Sequence, residues 1–157
     1  MRMHDMITEA GQQPQYYFAY GMLTDPRHMP EARRVGRAEL RNHALRFWHY
    51  ADVVPESGST VQGVLWSLPS GMLATLDTVE GYPTLYGRKT VPVWHDGQRY
   101  EAVIYYMTPA THAAIKDRMP STTYVRTVSR GYVMAGIPLS QIYDGIAASE
   151  DTDRAIA

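Results

Sequence analysis

The chain has 157 residues, of which 45% are hydrophobic and 20% charged, with a formal net charge of −1. That length and balance describe one globular domain able to bury its own core, and they exclude both a disordered chain and a protein that gathers nucleic acid or acidic membranes by overall charge. The absence of cysteine excludes disulfides, thiolate metal sites and cysteine nucleophiles together, and it fits a reducing compartment.

Residues 1–14 are polar and mixed in charge and lack the continuous apolar stretch of a signal peptide. They read as a flexible N-terminal segment before a single domain over 15–148, with 149–157 as a short, acidic, frayed tail. No run reaches a membrane-spanning length, so a cytoplasmic protein is expected. The aromatic run Tyr16-Tyr17-Phe18-Ala19-Tyr20 reads as a buried strand that stops at Gly21, and Thr24-Asp25-Pro26 as a turn or helix start. A strand that ends in a glycine loop and a helix start gathers backbone N–H groups at one spot, which suits an oxyanion or a carboxylate. An ordinary first strand with its turn is the alternative.

Over Ala32 to Trp48 the apolar residues keep no helical face, and two short strands joined near Arg41-Asn42-His43 are expected. The arginines Arg33, Arg34, Arg37, Arg41 and Arg46 form either a surface for a phosphate or acidic partner or the solvated outer face of a sheet. Pro55 to Thr60 reads as a loop and Val61 to Leu68 as a strand in which Gly63 marks a bulge or a close backbone approach. Pro69-Ser70 opens a helix with apolar positions Met72, Leu73, Leu76 and Val79, closed by Gly81 as a left-handed cap. Glu80 then lies where a negative charge opposes the helix dipole, a penalty of roughly 0.3–1 kcal/mol. Burial there would raise its pKa further, as suits a proton-shuttling group; the alternative is an exposed glutamate screened by water.

Strands over 90–94 and 99–107 flank Asp96-Gly97 as a hairpin, with Pro92 marking an edge or bulge. From Pro120-Ser121 the pattern turns helical through Tyr124, Val125, Val128, Tyr132 and Ala135 to Gly136-Ile137-Pro138, and a last helix runs from about Leu139 to Ala148. Strands first and helices later define an α+β fold, a mixed and mostly antiparallel sheet curled into a small barrel with helices outside. The six histidines show no metal-ligand spacing, and no nucleophile elbow, Walker loop or dinucleotide fingerprint occurs. Trp48, Trp66 and Trp94 each fall in an expected strand and are assigned to core packing.

Taken together, Tyr20-Gly21, Val61-Gln62-Gly63-Val64-Leu65-Trp66, Leu76-Asp77-Thr78-Val79-Glu80-Gly81-Tyr82 with Tyr86 and Arg88, Pro120-Ser121 with Tyr124, and Gly136-Ile137-Pro138 resemble the gamma-glutamylcyclotransferase family, including its AIG2-like members. The resemblance runs over residues 16–143 and implies that family's compact barrel. It also implies a reaction in which the α-amine of a γ-glutamyl compound attacks its own γ-carbonyl, releasing 5-oxoproline and an amine or amino acid. Glu80 matches the family's catalytic glutamate, and Tyr20, Gly21, Met22, Leu23 and Thr24 match its substrate-binding loop. Tyr124 matches a pocket tyrosine, Tyr86 is expected to line the pocket, and Arg88 is expected to be structural. No metal or cofactor is implied. The partner is a small γ-glutamyl substrate rather than nucleic acid or membrane, with the oligomeric state open.

The family loop commonly carries serine where Met22 stands, so a hydroxyl donor is replaced by apolar bulk. The resemblance leaves γ-glutamyl amino acids and γ-glutamyl amines both open as substrates. Two other functions also remain open: a non-catalytic small-molecule binding domain of the same fold, and an interaction module on the Arg33–Arg46 face.

Overall fold

A computed structural model describes residues 14–156, with side chains through Glu150. Strand β1 (Gln15–Ala19) is followed by two short 3-10 turns, Met22–Thr24 and Pro26–His28. Two long strands, β2 (Arg33–Trp48) and β3 (Tyr50–Leu68), come next, then helix α1 (Met72–Glu80) and the strands β4 (Tyr86–His95) and β5 (Gln98–Met107). Three helices finish the chain: α2 (Pro109–Ile115), α3 (Thr122–Ala135) and α4 (Ser140–Ile156).

The strands close into a barrel in the order β1-β3-β2-β4-β5. Every neighbouring pair is antiparallel except the closing one, where β1 runs parallel to β5 with Tyr16 beside Ala102 and Tyr17 beside Val103. The α+β barrel expected from the order of elements is the fold observed. Closure removes the free sheet edges that would otherwise invite pairing with other chains. Phe18, Leu40, Val61, Leu65, Trp66 and Ile104 pack in one fully buried core.

Several local expectations change in the folded chain. The segment expected as two strands is one, β2, which stays paired with β3 through shifts of register at Arg34/Gly36 and Arg41/His43. The expected joint survives as a bulge, where Asn42 takes a positive φ of 60° and its side-chain oxygen accepts the Gly58 N–H. Pro55 to Thr60 therefore belongs to β3. Helix α1 begins behind Gly71 rather than at Pro69-Ser70. The sequence reading missed α2, although Thr108 accepts the Thr111 N–H and Pro109 occupies the first turn. Helix α4 continues beyond Ala148 to Ile156.

The Asp96-Gly97 hairpin forms as expected, both residues at positive φ and His95 facing Gln98. Trp48 and Trp66 are core residues, whereas Trp94 is half-buried beneath the Arg41 guanidinium, 3.8 Å from its ring centre. Arg46 is paired with Glu56, and Arg37 donates to the Gly136 carbonyl, so the arginine face is partly consumed by internal contacts. Among the described residues no helix is long and apolar enough to cross a membrane.

Gln141 docks α4 on the barrel: its side-chain amide both accepts the Gln62 N–H and donates to the Gln62 carbonyl, each at 2.9 Å. Gly63, the next residue, shows the close backbone approach read from the sequence. A methyl there would overlap the Ala19 carbonyl oxygen and the Phe18 ring. Gly63→Ala should lower unfolding free energy by about 1–3 kcal/mol, measured by urea denaturation.

Candidate functional site

A cavity of about 340 Å³ opens at one end of the barrel, lined by residues from the loop after β1, the β2–β3 tip, the end of α1, the start of β4 and the first turn of α3. Of the residues singled out from the sequence, Tyr20, Gly21, Met22, Leu23, Glu80, Tyr86 and Tyr124 all line it. Thr24 does not. It is buried behind the loop, where its hydroxyl donates to the Gly21 carbonyl at 2.8 Å, and its oxygen occupies the space that a side chain at Gly131 of α3 would need.

All four carbonyls of the loop from Tyr20 to Leu23 are engaged. Tyr132 donates its hydroxyl to Tyr20 O at 2.7 Å, and the Trp66 indole N–H donates to Leu23 O at 3.0 Å. Within the loop, Thr24 N–H and Asp25 N–H donate to Gly21 O and Met22 O. Tyr20 itself is anchored by its own hydroxyl, which donates to the Tyr105 carbonyl at 2.6 Å. The N–H groups of Met22 and Leu23, first in the 3-10 turn, have no partner among the described residues.

Glu80 is the last residue of α1. Gly81 follows at φ 67°, and the N–H groups of Gly81 and Tyr82 return to the carbonyls of Thr78 and Asp77, the Schellman closure expected from the glycine. The chain then turns sharply, with Leu85 N–H on Gly81 O at 2.8 Å, so that Leu85 and Tyr86 come to the same opening. The Glu80 carboxylate has no hydrogen bond or ion pair among the described residues, and burial pushes its pKa up from 4.5 to about 7. Arg88 is structural, as expected: it is ion-paired with Asp77, which also accepts the Tyr105 hydroxyl.

Two tyrosines meet on the backbone of one residue, Ala51. Tyr124 accepts the Ala51 N–H and Tyr86 donates to the Ala51 carbonyl, both at 3.1 Å. These bonds leave the Tyr124 hydrogen and the Tyr86 lone pairs for other partners. Ser121 caps α3 by accepting the N–H of Tyr124, fixing that residue in the first turn. Burial holds the Tyr124 pKa at about 12, so its hydroxyl remains a neutral donor.

The sequence reading missed Tyr17, Tyr50, Ala51, Val79 and Leu85 on the lining. Period-two alternation puts Tyr17 and Tyr20 on opposite faces, yet both line the cavity because β1 ends at Ala19 and Tyr20 lies beyond it. Val79, one of the apolar positions at helical spacing, is 62% exposed and lines the cavity. The β2–β3 tip turns at His49, with a φ of 69°, a residue that carries no turn signal in the sequence. No group of metal-ligating side chains occurs among the described residues.

The sequence profile of the family described as gamma-glutamyl cyclotransferase, AIG2-like, matches residues 17–126. The chain belongs to that family. It is 31% identical over 142 residues, 82% of its length, to YkqA of Bacillus subtilis, which carries a provisional gamma-glutamylcyclotransferase name. It spans about 50% of the length of that relative. Among solved structures, one titled gamma-glutamyl cyclotransferase superposes with a TM-score of 0.69 at 24% identity, covering 83% of this chain and 86% of the other. A human protein of unassigned function superposes with a TM-score of 0.70 at 25% identity, covering 84% and 86%. The crystal structure of YkqA superposes with a TM-score of 0.67 at 23% identity, covering 97% and 57%.

Asp52 braces the tip that carries Tyr50 and Ala51. Buried, its carboxylate accepts the N–H groups of Val53 and Met107, each at 2.9 Å. Asp52→Ala should cost about 1–3 kcal/mol of stability by orphaning both donors, and Asp52→Asn, which keeps an acceptor, should recover much of it. Paired urea melts check both.

Proposed function

We propose that this cavity binds a γ-glutamyl compound and closes it on itself, releasing 5-oxoproline and an amine or amino acid. The α-nitrogen attacks the γ-carbonyl carbon, the new C–N bond closes a five-membered ring, and the bond to the leaving nitrogen breaks. The attacking nitrogen must shed protons and the leaving nitrogen must gain one. Glu80 serves both needs as a general base that becomes a general acid, since a pKa near 7 lets one carboxylate hold and release a proton at neutral pH. Ring closure within one molecule needs positioning more than an added nucleophile.

The supporting observation is the company that Glu80 keeps. Among the described residues it is the one carboxylate on the lining, it is unpaired, and it shares the cavity with a loop whose carbonyls are engaged while the Met22 and Leu23 N–H groups have no partner. Those N–H groups and the Tyr124 hydroxyl are the donors assigned to the substrate's carboxylate and to the oxyanion of the tetrahedral intermediate. Tyr86, whose hydroxyl oxygen can still accept, is assigned to the substrate's ammonium. Tyr17 is buried and lines the cavity, and its hydroxyl makes no hydrogen bond among the described residues, so it is a further hydroxyl for the bound head group.

Incubation with a panel of γ-glutamyl amino acids and γ-glutamyl amines, with 5-oxoproline as the readout, tests the proposal. Glu80→Gln should lose about 10²–10⁴ in kcat/KM, and the wild-type kcat/KM should fall on the acidic side through a limb near pH 7, where Glu80 takes up its proton. A panel that yields no 5-oxoproline, or a Glu80→Gln variant as active as wild type, contradicts it.

The same shift has a stability consequence. A carboxyl with pKa about 7 folded and 4.5 as the reference value binds protons more tightly in the native state, so stability falls as pH rises between those values. The penalty is absent below the lower value and complete above the upper one. Glu80→Gln should therefore have a higher unfolding free energy than wild type at pH 8, by on the order of 1–2 kcal/mol after allowance for solvent on the open side, and in urea melts the gain should vanish near pH 4.

A further inference from the structure

Four apolar residues surround the cavity mouth: Met22, Tyr50, Val79 and Leu85 are 37%, 45%, 62% and 54% exposed, and all four also line the cavity. They come from four separate places, the loop after β1, the β2–β3 tip, the last turn of α1 and the turn that follows it. Large apolar side chains converging on one opening from distant parts of a chain form a patch that is stabilised when something apolar covers it. Met22 contributes to this patch at the position where the family resemblance leads one to expect a serine hydroxyl.

The charge distribution points the same way. Among the described residues no lysine, arginine or histidine lies on the cavity lining, and Glu80 is its one carboxylate. Arg88 is ion-paired with Asp77 and stacked on Tyr82, 4.3 Å from the ring centre. Lys89 is engaged with His43 and Tyr106. An anionic group at the mouth would meet no cation and would face the Glu80 carboxylate across a partly desolvated space, where like charges repel most strongly. A cationic tail would have to shed water against four apolar side chains.

A cavity of about 340 Å³ is at the small end of the range for ligand sites. It suits a γ-glutamyl head inside and a modest tail at the mouth. Resting on the cyclotransferase function proposed above, we propose that the Met22–Tyr50–Val79–Leu85 rim is the leaving-group subsite, and that it selects γ-glutamyl amides of apolar, uncharged amines over γ-glutamyl amino acids. The rim covers the amine's hydrocarbon. The missing cation excludes the carboxylate that an amino acid would bring.

A matched pair isolates the carboxylate. γ-Glutamyl-leucine and γ-glutamyl-3-methylbutylamide differ only in that group, as do γ-glutamyl-phenylalanine and γ-glutamyl-phenethylamide. Measured as 5-oxoproline formation, kcat/KM should be at least about tenfold higher for the uncharged member of each pair. Leu85→Lys, which supplies the missing cation, should narrow that ratio by raising turnover of γ-glutamyl-leucine. Met22→Ser should lower kcat/KM for the 3-methylbutylamide by roughly three- to tenfold through lost apolar cover.

Turnover of all four compounds with equal or better rates for the amino acids overturns the rim assignment while leaving the cyclotransferase function standing. Should none of the four yield 5-oxoproline, that function fails, and calorimetric titration of the same pairs then decides the subsite. Binding of the uncharged members about tenfold tighter supports it, and equal or weaker binding overturns it.

Discussion

The cavity depends on one constraint, that every carbonyl of the loop between Tyr20 and Leu23 is bonded to something else. Tyr132 reaches across from α3 to Tyr20 O, Trp66 from β3 to Leu23 O, and Thr24 with the following N–H groups closes Gly21 O and Met22 O. With these acceptors engaged, the Met22 and Leu23 N–H groups are the loop's donors without a partner among the described residues. Such an arrangement resists rotation of the peptide planes, because a flip at Tyr20 or Leu23 would break a buried bond to the Tyr132 hydroxyl or the Trp66 indole N–H, at about 1–3 kcal/mol each. Preorganised donors of this kind are what the oxyanion of an acyl-transfer intermediate requires, since they need not reorient when charge develops.

On the same cavity lining, helix α1 ends at Glu80, an acid without a partner among the described residues. The Schellman closure at Gly81 satisfies the last turn without using the Glu80 side chain, and the turn to Leu85 folds the following residues back over the opening. Asp77, one turn earlier, is tied up by Arg88 and Tyr105. Two acids on one short helix thus take different fates: one is neutralised in an ion pair, and the other is left partly desolvated with a raised pKa. One short helix thus carries one carboxyl tied into the structure and another that burial holds above its ordinary pKa.

Much of this was legible in the sequence where local chemistry forces the backbone. Gly81 after an apolar helical repeat, Asp96-Gly97 between alternating strands, and Ser121 before Tyr124 each specify a cap or turn from a few neighbouring residues, and each formed as expected. The parts that were not legible depend on residues far apart in the chain. The barrel itself was expected, but the two-residue parallel contact between β1 and β5 that closes it carries no local signal. The tip at His49 carries no glycine, asparagine or aspartate to announce it. Val79 obeys the helical period yet faces the mouth, because α1 ends at a cavity rather than against the core. Thr24 matched the family loop in sequence, but the close approach of Gly131 turns its hydroxyl inward to hold the loop from behind.

The most direct measurement is a crystal structure of the Glu80→Gln variant with an uncleaved γ-glutamyl amide bound. The α-nitrogen should lie within hydrogen-bond reach of the residue 80 side chain, and the γ-carbonyl oxygen or the α-carboxylate should lie about 3 Å from the N–H groups of Met22 or Leu23. A γ-glutamyl head bound with its nitrogen turned away from residue 80, or seated anywhere other than between that side chain and the loop, would contradict the assignment.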